Sequence, residues 1–489
     1  MIRCLSLLLA LPAILSLNAA SQAYVDFSDT AALARMKADV YALADDSMQG
    51  RNSGTEGERK AYRYLIGRFS EAGFTPKGEG GGWLQPFPVT TRTKGTGSIL
   101  SVSGTMCEPY YDYALADLSA SGTAQGAIVD VGSGIVLPTE GIDDYAGLDV
   151  DGKIVLIDLY VPGRFNRNTV TSPLVGPKAR FEEAFRRGAV AVLCHNPDSR
   201  WGLTMRDYGR LDTLDHPVMY VTRPVVQAIR ESRGPHAMID ARFSVQTDTF
   251  HNVAGYVDNG APLTVILGAH YDHVGIGTIT RLIRNGADDN ASGTAMITEL
   301  GRYYKAHPDS VYNYLLLAFS GEEEGLKGSY WYADHPTIDL AKVSFLFNFD
   351  MVGRLGCQGN RVDAVCTGTS EAWKTILKEA PGKDFRIRRI PGAGEFSDHY
   401  PFYAKKIPVA YLTTGLHYDY HTSRDDADRL NYQGMAKVEA YARGIIGESR
   451  AVGKIPYRQV PGWTNARSMI YYFSEQLDYV LTVGTREAE

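Results

Sequence analysis

Four continuous apolar runs mark the second half of the chain: Leu263–Ala269, Tyr312–Phe319, Val343–Phe349 and Pro408–Thr413. Short runs without polar alternation fit strands covered on both faces, as in a mostly parallel sheet. Helical patterns at Gly293–Lys305 and Met435–Ile446 fall between or after them. The pattern therefore predicts an α/β fold, with a mixed, mostly parallel central sheet flanked by helices. Residues 30–75 carry two further helical patterns. The second opens on a capping box, Thr55-Glu56-Gly57-Glu58, places Tyr62, Leu65, Ile66 and Phe69 on one stripe, and ends at Gly73. From about 100 to 247 the texture changes to short β-like runs, Ala127–Val131, Lys153–Leu159, Ala189–Leu193 and Pro217–Val221, with one helix at Pro177–Arg187 closed by Gly188. A β-rich insert is predicted there.

The N-terminal pattern differs again. Arg3 precedes an apolar stretch from Leu5 to Leu17, and Ser21-Gln22-Ala23 offers an A-x-A-like cleavage site. This is the design of a cleavable secretory signal peptide, too short and too weakly flanked for a spanning helix. The expected location is secreted or periplasmic. The expected division is 1–23 signal peptide, 24–100 first part of the main domain, 101–247 insert, 248–455 core of the main domain and 456–489 C-terminal tail. No later run approaches the length of a membrane span, so no stable membrane insertion is expected.

Composition narrows the partners. With 50 Lys+Arg against 56 Asp+Glu the formal charge is −6, which makes nucleic acid a poor candidate partner. Five cysteines in 489 residues cannot form a disulfide scaffold. Cys357 and Cys366 are close enough in sequence for a small disulfide loop, whereas Cys107 and Cys194 stand alone. The 30 tyrosines suggest wet, amphipathic pockets or surfaces.

Candidate chemistry gathers at the ends of the predicted strands, where ligands bind in open α/β sheets. Leu263–Ala269 runs into His270-Tyr271-Asp272, Tyr312–Phe319 into Ser320-Gly321-Glu322-Glu323-Glu324-Gly325, and Val343–Phe349 into Asp350. A loop with Asp288, Asp289 and Asn290 opens the helix at Gly293, and Tyr420-His421-Thr422 follows Pro408–Thr413. One acidic or histidine residue after a strand is ordinarily a turn or cap residue; the joint occurrence points to a metal centre. Two imidazoles and three carboxylates without a thiol suit a pair of divalent ions such as Zn²⁺, about 3.5 Å apart, with one carboxylate bridging. A metal-bridging hydroxide would be the nucleophile at neutral pH, and a neighbouring carboxylate the general base.

These motifs, together with Gly286-Ala287-Asp288-Asp289-Asn290-Ala291-Ser292-Gly293, Asn348-Phe349-Asp350-Met351 and Ser397-Asp398-His399, resemble metallopeptidase family 28, the co-catalytic di-zinc family of aminopeptidases and glutamate carboxypeptidases. The stretch Asp144 to Leu156 resembles a protease-associated insert, which implies a lid or specificity module without catalytic residues. The resemblance implies a zinc exopeptidase fold and two Zn²⁺ per chain. It implies that His270, Asp289 and Asp350 hold one ion and Asp289, Glu323 and His421 the other, with Asp289 bridging and Asp288 a loop residue. Glu322 matches the general base, Asp272 the carboxylate that orients His270, and Tyr420 the hydroxyl that steadies the carbonyl oxygen. Glu324 is expected to be solvated at the start of a helix, and His273 to be a polar loop residue. His399 either lines the cleft or follows a helix cap made by Ser397-Asp398, while His417, Asp419, Asp425 and Asp426 are read as loop or supporting groups. Asn290-Ala291-Ser292 is formally a glycosylation sequon, and its place in the metal loop argues against its use.

The expected activity is hydrolysis of N-terminal residues from peptides with a free N-terminus. A carboxypeptidase or dipeptidase on the same scaffold is the alternative; a glutaminyl cyclase or a non-catalytic receptor-like protein is weighed against by the full ligand set. No G-x-S-x-G and no H-E-x-x-H occurs, so serine hydrolase and classical zincin readings find no support.

Overall fold

The apolar runs pair side by side into the centre of one sheet. The computed structural model describes residues 30–94, 97–109, 111–116, 118–160, 175–195, 214–277, 281–380 and 384–486; the signal-peptide reading of residues 1–23 lies outside them. The chain divides into two units, one comprising residues up to Val89 and from Thr249 onward, the other Thr90–Asp248.

In the first unit the elements run α1 (Thr30–Leu43), α2 (Glu56–Glu71), β1 (Phe243–Val257), β2 (Leu263–His270), α3 (Gly293–Ala306), β3 (Tyr312–Phe319), α4 (Lys327–Asp334), β4 (Val343–Phe349), β5 (Arg361–Val365), β6 (Arg386–Ile390), α5 (His399–Ala404), β7 (Val409–Thr413), α6 (Tyr432–Ser449) and α7 (Gly462–Arg486). These strands lie in the order β1-β3-β2-β4-β7-β5-β6, where β1 enters this unit at Thr249, and Thr75–Pro76 and Leu84–Lys94 also pair with β1. β3, β2, β4 and β7 are mutually parallel, β1 joins β3 antiparallel, and β5 joins β7 antiparallel while pairing parallel with β6. This is the mixed, mostly parallel α/β architecture of the zinc exopeptidase fold.

Side chains alternate across each strand, and both faces are covered, which is why the runs are mostly apolar, with Thr264, Asn313, Ser344 and Asn348 as buried exceptions. Val265, Leu267, Tyr314, Leu316, Phe345 and Phe347 face a cluster completed by Leu43, Leu65, Phe69, Ile297, Leu300 and Ile445 from α1, α2, α3 and α6. Ile266, Leu315, Leu317 and Leu346 face the opposite cluster with Tyr332, Phe402, Met469 and Tyr472 from α4, α5 and α7. Each fully buried Leu, Ile or Phe contributes about 1.5–3 kcal/mol, so the sheet is a rigid platform for whatever its carboxyl edge carries.

At α2 the Thr55 hydroxyl accepts from the Gly57 N–H, not from residue 58 as the capping box anticipates. Glu58 is instead wholly buried. Its carboxylate accepts from the N–H groups of Gly54 and His251 and from the hydroxyls of Ser320 and Tyr271. The capping glutamate thus ties α2 to β1 and to the ends of β2 and β3.

The second unit has its own sheet, whose strands Gly122–Asp130, Ile154–Asp158, Ala191–His195 and Val218–Val221 run parallel in that order. Helix Pro177–Arg186 packs Phe181 and Ala184 on one face, and helix Arg223–Glu231 packs Val225, Val226 and Ile229 on the other. Cys357 and Cys366 are both free thiols, the first exposed and the second buried; Cys366 is committed to the core beside Val365 and Ile390, so the disulfide loop considered from sequence does not form. Among the described residues no helix is long and apolar enough to cross a membrane.

Candidate metal centre

Because β2, β3, β4 and β7 are parallel, their carboxyl ends share one edge of the sheet. His270 ends β2, Glu322 and Glu323 follow β3, and Asp350 follows β4. Asp289 comes from the turn that opens α3, and its peptide to Asn290 is cis. His421 arrives from the loop after β7 with a left-handed backbone, φ 58°, a conformation that bulky residues adopt only where their surroundings impose it.

These side chains form two donor groups. His270, Asp289 and Asp350 make one; Asp289, Glu323, His421 and additionally His273 make the other. In the first, His270 Nε2 lies 3.3 Å from Asp289 Oδ1 and 3.4 Å from Asp350 Oδ1. In the second, His421 Nε2 lies 2.8 Å from Asp289 Oδ2 and 3.1 Å from Glu323 Oε1. Asp289 turns one oxygen to each group. Zinc–ligand bonds of about 2.0–2.1 Å arranged tetrahedrally place neighbouring donors about 3.3 Å apart. The separations match that spacing, so the residues fit a pair of such ions.

The electrostatics suit a cation as well. Burial opposes ionisation of Asp289, yet His273, His270 and His421 outweigh it and hold the carboxyl well below its usual range. Burial likewise opposes charge on His421, but Glu323 and Asp289 raise it to about 9. Glu322 behaves differently: burial, reinforced by the Asp350, Asp398 and Glu323 carboxylates, pushes it well above the ordinary value against the pull of His270. Two adjacent glutamates are thus driven apart, which is the pattern of a ligand beside a proton-transfer group.

Supporting contacts come from residues of several loops. Asp272 accepts the N–H groups of Glu322 and Glu323 at 3.3 and 3.4 Å, and its Oδ1 lies 3.6 Å from His270 Nδ1. Asp288 belongs to neither donor group: it accepts from the Gly353 N–H at 2.6 Å and faces His417 Nε2 at 3.2 Å. Asp425 accepts the backbone N–H groups of Asp288 and Asp289 at 3.1 Å. Asn290 donates to Phe349 O at 2.9 Å and accepts from the Gly293 N–H at 2.9 Å. Gly293 has to be glycine, since a Cβ there would meet Phe349 O at 2.3 Å. Tyr420 stacks on His421 with ring centroids 3.6 Å apart.

Several placements depart from the sequence expectations or were not legible in them. His273, read as a polar loop residue near the site, does lie in the loop after β2, and is moreover wholly buried inside the second group. Ser397 does not cap α5, whose N-terminus has no side-chain cap; it donates to Asp350 Oδ2 at 2.8 Å and accepts from Asn348 Nδ2 at 2.9 Å. His399 is buried, with Nε2 3.0 Å from Gly394 O and the ring parallel to Tyr411, and burial lowers it to about 3. Glu324 lies in the turn before α4, not at the start of that helix.

The loop at Gly50-Arg51 is part of the stretch that resembles the family, but the role of Arg51 was not legible: it organises the whole edge. Its guanidinium is fully buried and donates to Tyr271 O, Leu43 O and Asn285 O at 2.6 Å and to Gly286 O at 2.8 Å. Burial lowers it to about 10, against the attraction of Asp289, Asp272, Asp425 and Glu323. One cation thereby pins the backbone on both sides of the centre.

Residues 252–446 match the profile of Peptidase family M28. Aminopeptidase YwaD of Bacillus subtilis (strain 168) is 30% identical over 204 residues, covering 40% of this chain and 43% of that protein. Leupeptin-inactivating enzyme 1 of Streptomyces exfoliatus is 29% identical over 240 residues, covering 43% of this chain and 52% of that protein. The chain thus spans about half the length of these curated relatives. In fold it is similar to the zinc aminopeptidase BSAP of Bacillus subtilis, with a TM-score of 0.61 at 22% identity over 87% of this chain and 95% of that one. The aminopeptidase of Aneurinibacillus sp. strain AM-1 gives a TM-score of 0.60 at 22% identity, over 88% and 95%.

Proposed function

On the match of residues 252–446 to the profile of Peptidase family M28, we propose that the chain is a zinc-dependent exopeptidase, an aminopeptidase that hydrolyses N-terminal residues from peptides. The observation that carries this reading is the shared carboxylate, Asp289, which turns Oδ1 toward His270 and Oδ2 toward His421. His270, Asp289 and Asp350 would hold one zinc ion, and Asp289, Glu323 and His421 the second. Bound there, zinc supplies Lewis-acid polarisation of a peptide carbonyl and acidifies water.

The chain's own residues do the rest. Glu322 takes the proton of the attacking water and returns it to the departing amine nitrogen, a task suited to a carboxyl whose affinity for protons is raised. Asp272 fixes both His270 and the Glu322-Glu323 turn. Tyr420 donates to the carbonyl oxygen as it gains negative charge. The segment 1–23 directs the protein out of the cytosol, to the periplasm or the medium.

The test is a panel of free and N-blocked aminoacyl and dipeptide substrates with zinc-loaded protein. Turnover of free-amine substrates and none of their N-blocked counterparts is expected. Cleavage of N-blocked peptides from the carboxyl end would overturn the aminopeptidase reading.

A further inference from the structure

The second donor group contains one more residue than the family reading requires. His273 Nδ1 lies 2.8 Å from Glu323 Oε1 and 3.5 Å from Asp289 Oδ2. Although so close to a carboxylate, neither ring nitrogen has a partner in hydrogen-bonding geometry, and Asp289 Oδ2 has none either. Both residues are buried, where a polar atom without a partner costs about 1–3 kcal/mol. Ligand atoms of His273, Asp289, Glu323 and His421 all lie within 4.8 Å of one another, the arrangement of ligands around a common cation. The ring of His273 meets that of His421 edge-on, with centroids 5.4 Å apart, so two imidazoles approach one point from different directions.

The fold makes room for this. Gly286 has φ 59°, and a Cβ there would meet His273 Cγ and Cδ2 at 2.5 Å. The His273 N–H also donates to Arg51 O at 3.3 Å. The imidazole is therefore clamped between the Gly286 turn and the second donor group.

We propose that His273 Nδ1 is a fourth protein ligand of the Glu323–His421 metal, so that the two metal positions are unequal: a closed one with His273, Asp289, Glu323 and His421, and an open one with only His270, Asp289 and Asp350. Four protein ligands characterise zinc sites that retain their ion, and three plus a free position those that exchange water or substrate. The closed position fills first and holds its ion; the open position fills last and empties first.

This inference rests on the metal-dependent reading, and the experiment separates the two. Metal-free protein is titrated with Zn²⁺ against a competing chelator, with metal content measured directly, and with Co²⁺ for the visible spectrum. The native protein should bind two ions with affinities well separated, and the first Co²⁺ should give the intense absorption of four-coordinate geometry. His273→Ala and the more isosteric His273→Gln should weaken the first ion by at least about 100-fold, because losing even a group that merely supports a ligand costs about 10–100-fold. Both variants should lose the intense cobalt band while keeping the native circular dichroism. Two ions bound by His273→Gln with unchanged affinities and an unchanged cobalt spectrum would overturn the fourth-ligand assignment and leave the metal reading standing. Failure of the native protein to bind either ion would overturn both.

Discussion

The Ser397 hydroxyl donates to Asp350 Oδ2 at 2.8 Å while Asp350 Oδ1 lies 3.4 Å from His270 Nε2. One oxygen of the carboxylate is fixed by the protein and the other is left to face the donor group. Ser397→Ala should therefore lower metal affinity or turnover by about 10–100-fold, the usual effect of removing a hydrogen bond to a ligand. Metal titration alongside steady-state kinetics checks this. An unchanged zinc affinity with unchanged kcat would show that Asp350 needs no such anchor.

Glu322→Gln preserves shape and removes the proton acceptor. Turnover should fall by about 10²–10⁴-fold, the contribution of positioned acid–base groups, while the protein keeps its full metal content. Near-native kcat in the metal-loaded variant would remove Glu322 from the role of base.

Metal removal should inactivate the enzyme without unfolding it. The Asp289 and Asp350 loops are already joined through Asn290, and Arg51 holds the Gly286 turn without help from an ion. Chelation followed by Zn²⁺ should restore activity, with circular dichroism constant throughout. Loss of secondary structure on chelation would contradict this scaffolding.

Arg51→Met removes a donor from four buried carbonyls, of which Gly286 O keeps the Ala291 N–H while Tyr271 O, Leu43 O and Asn285 O lose the guanidinium. With each unsatisfied buried group costing about 1–3 kcal/mol, a loss of at least about 3 kcal/mol in stability is expected in denaturant titration. Arg51→Lys should not restore it, because a single ammonium cannot reproduce the planar fork.

Asp309 gives a pH signature away from the centre. Burial opposes its charge, but the Tyr314 hydroxyl, the Val311 N–H and Arg450 hold it below the ordinary carboxyl value. A depressed folded-state pKa stabilises above the unfolded value, about 3.9, and this stabilisation is lost as pH falls through the folded-state pKa. The stability gap between native protein and Asp309→Asn should be largest near neutrality and shrink in acid. A pH-independent gap would place its origin elsewhere.

Much of this arrangement was legible from the chain alone. β3 and β4 begin and end where the apolar runs do, since burial on both faces favours apolar side chains, and the polar exceptions Asn313, Ser344 and Asn348 each hold hydrogen bonds. The candidate donors His270 and Asp350 were findable because each directly follows such a run, and Glu323 because it stands in the short acidic turn after one. Ser397 and the loop at Arg51 belong to the stretches that resemble the family, but their contacts, like those of His273, were not legible, for a common reason. Their contacts depend on space opened by distant residues, as Gly286 does for His273, or on carbonyls that any sequence would offer, as with Arg51. A hydrophobic pattern encodes which face is buried and does not encode which loop arrives beside it.

Asn290 bears on how the protein can be made. Its side-chain nitrogen, the atom to which a sugar chain would be joined in Asn290-Ala291-Ser292, is spent on Phe349 O in a residue with no exposed surface. In the folded protein that nitrogen is out of reach of any modifying enzyme, so the sequon should stay bare, in keeping with its place in the metal loop. A mass measurement on protein from a eukaryotic secretory host checks this, and a glycan on Asn290 would contradict it.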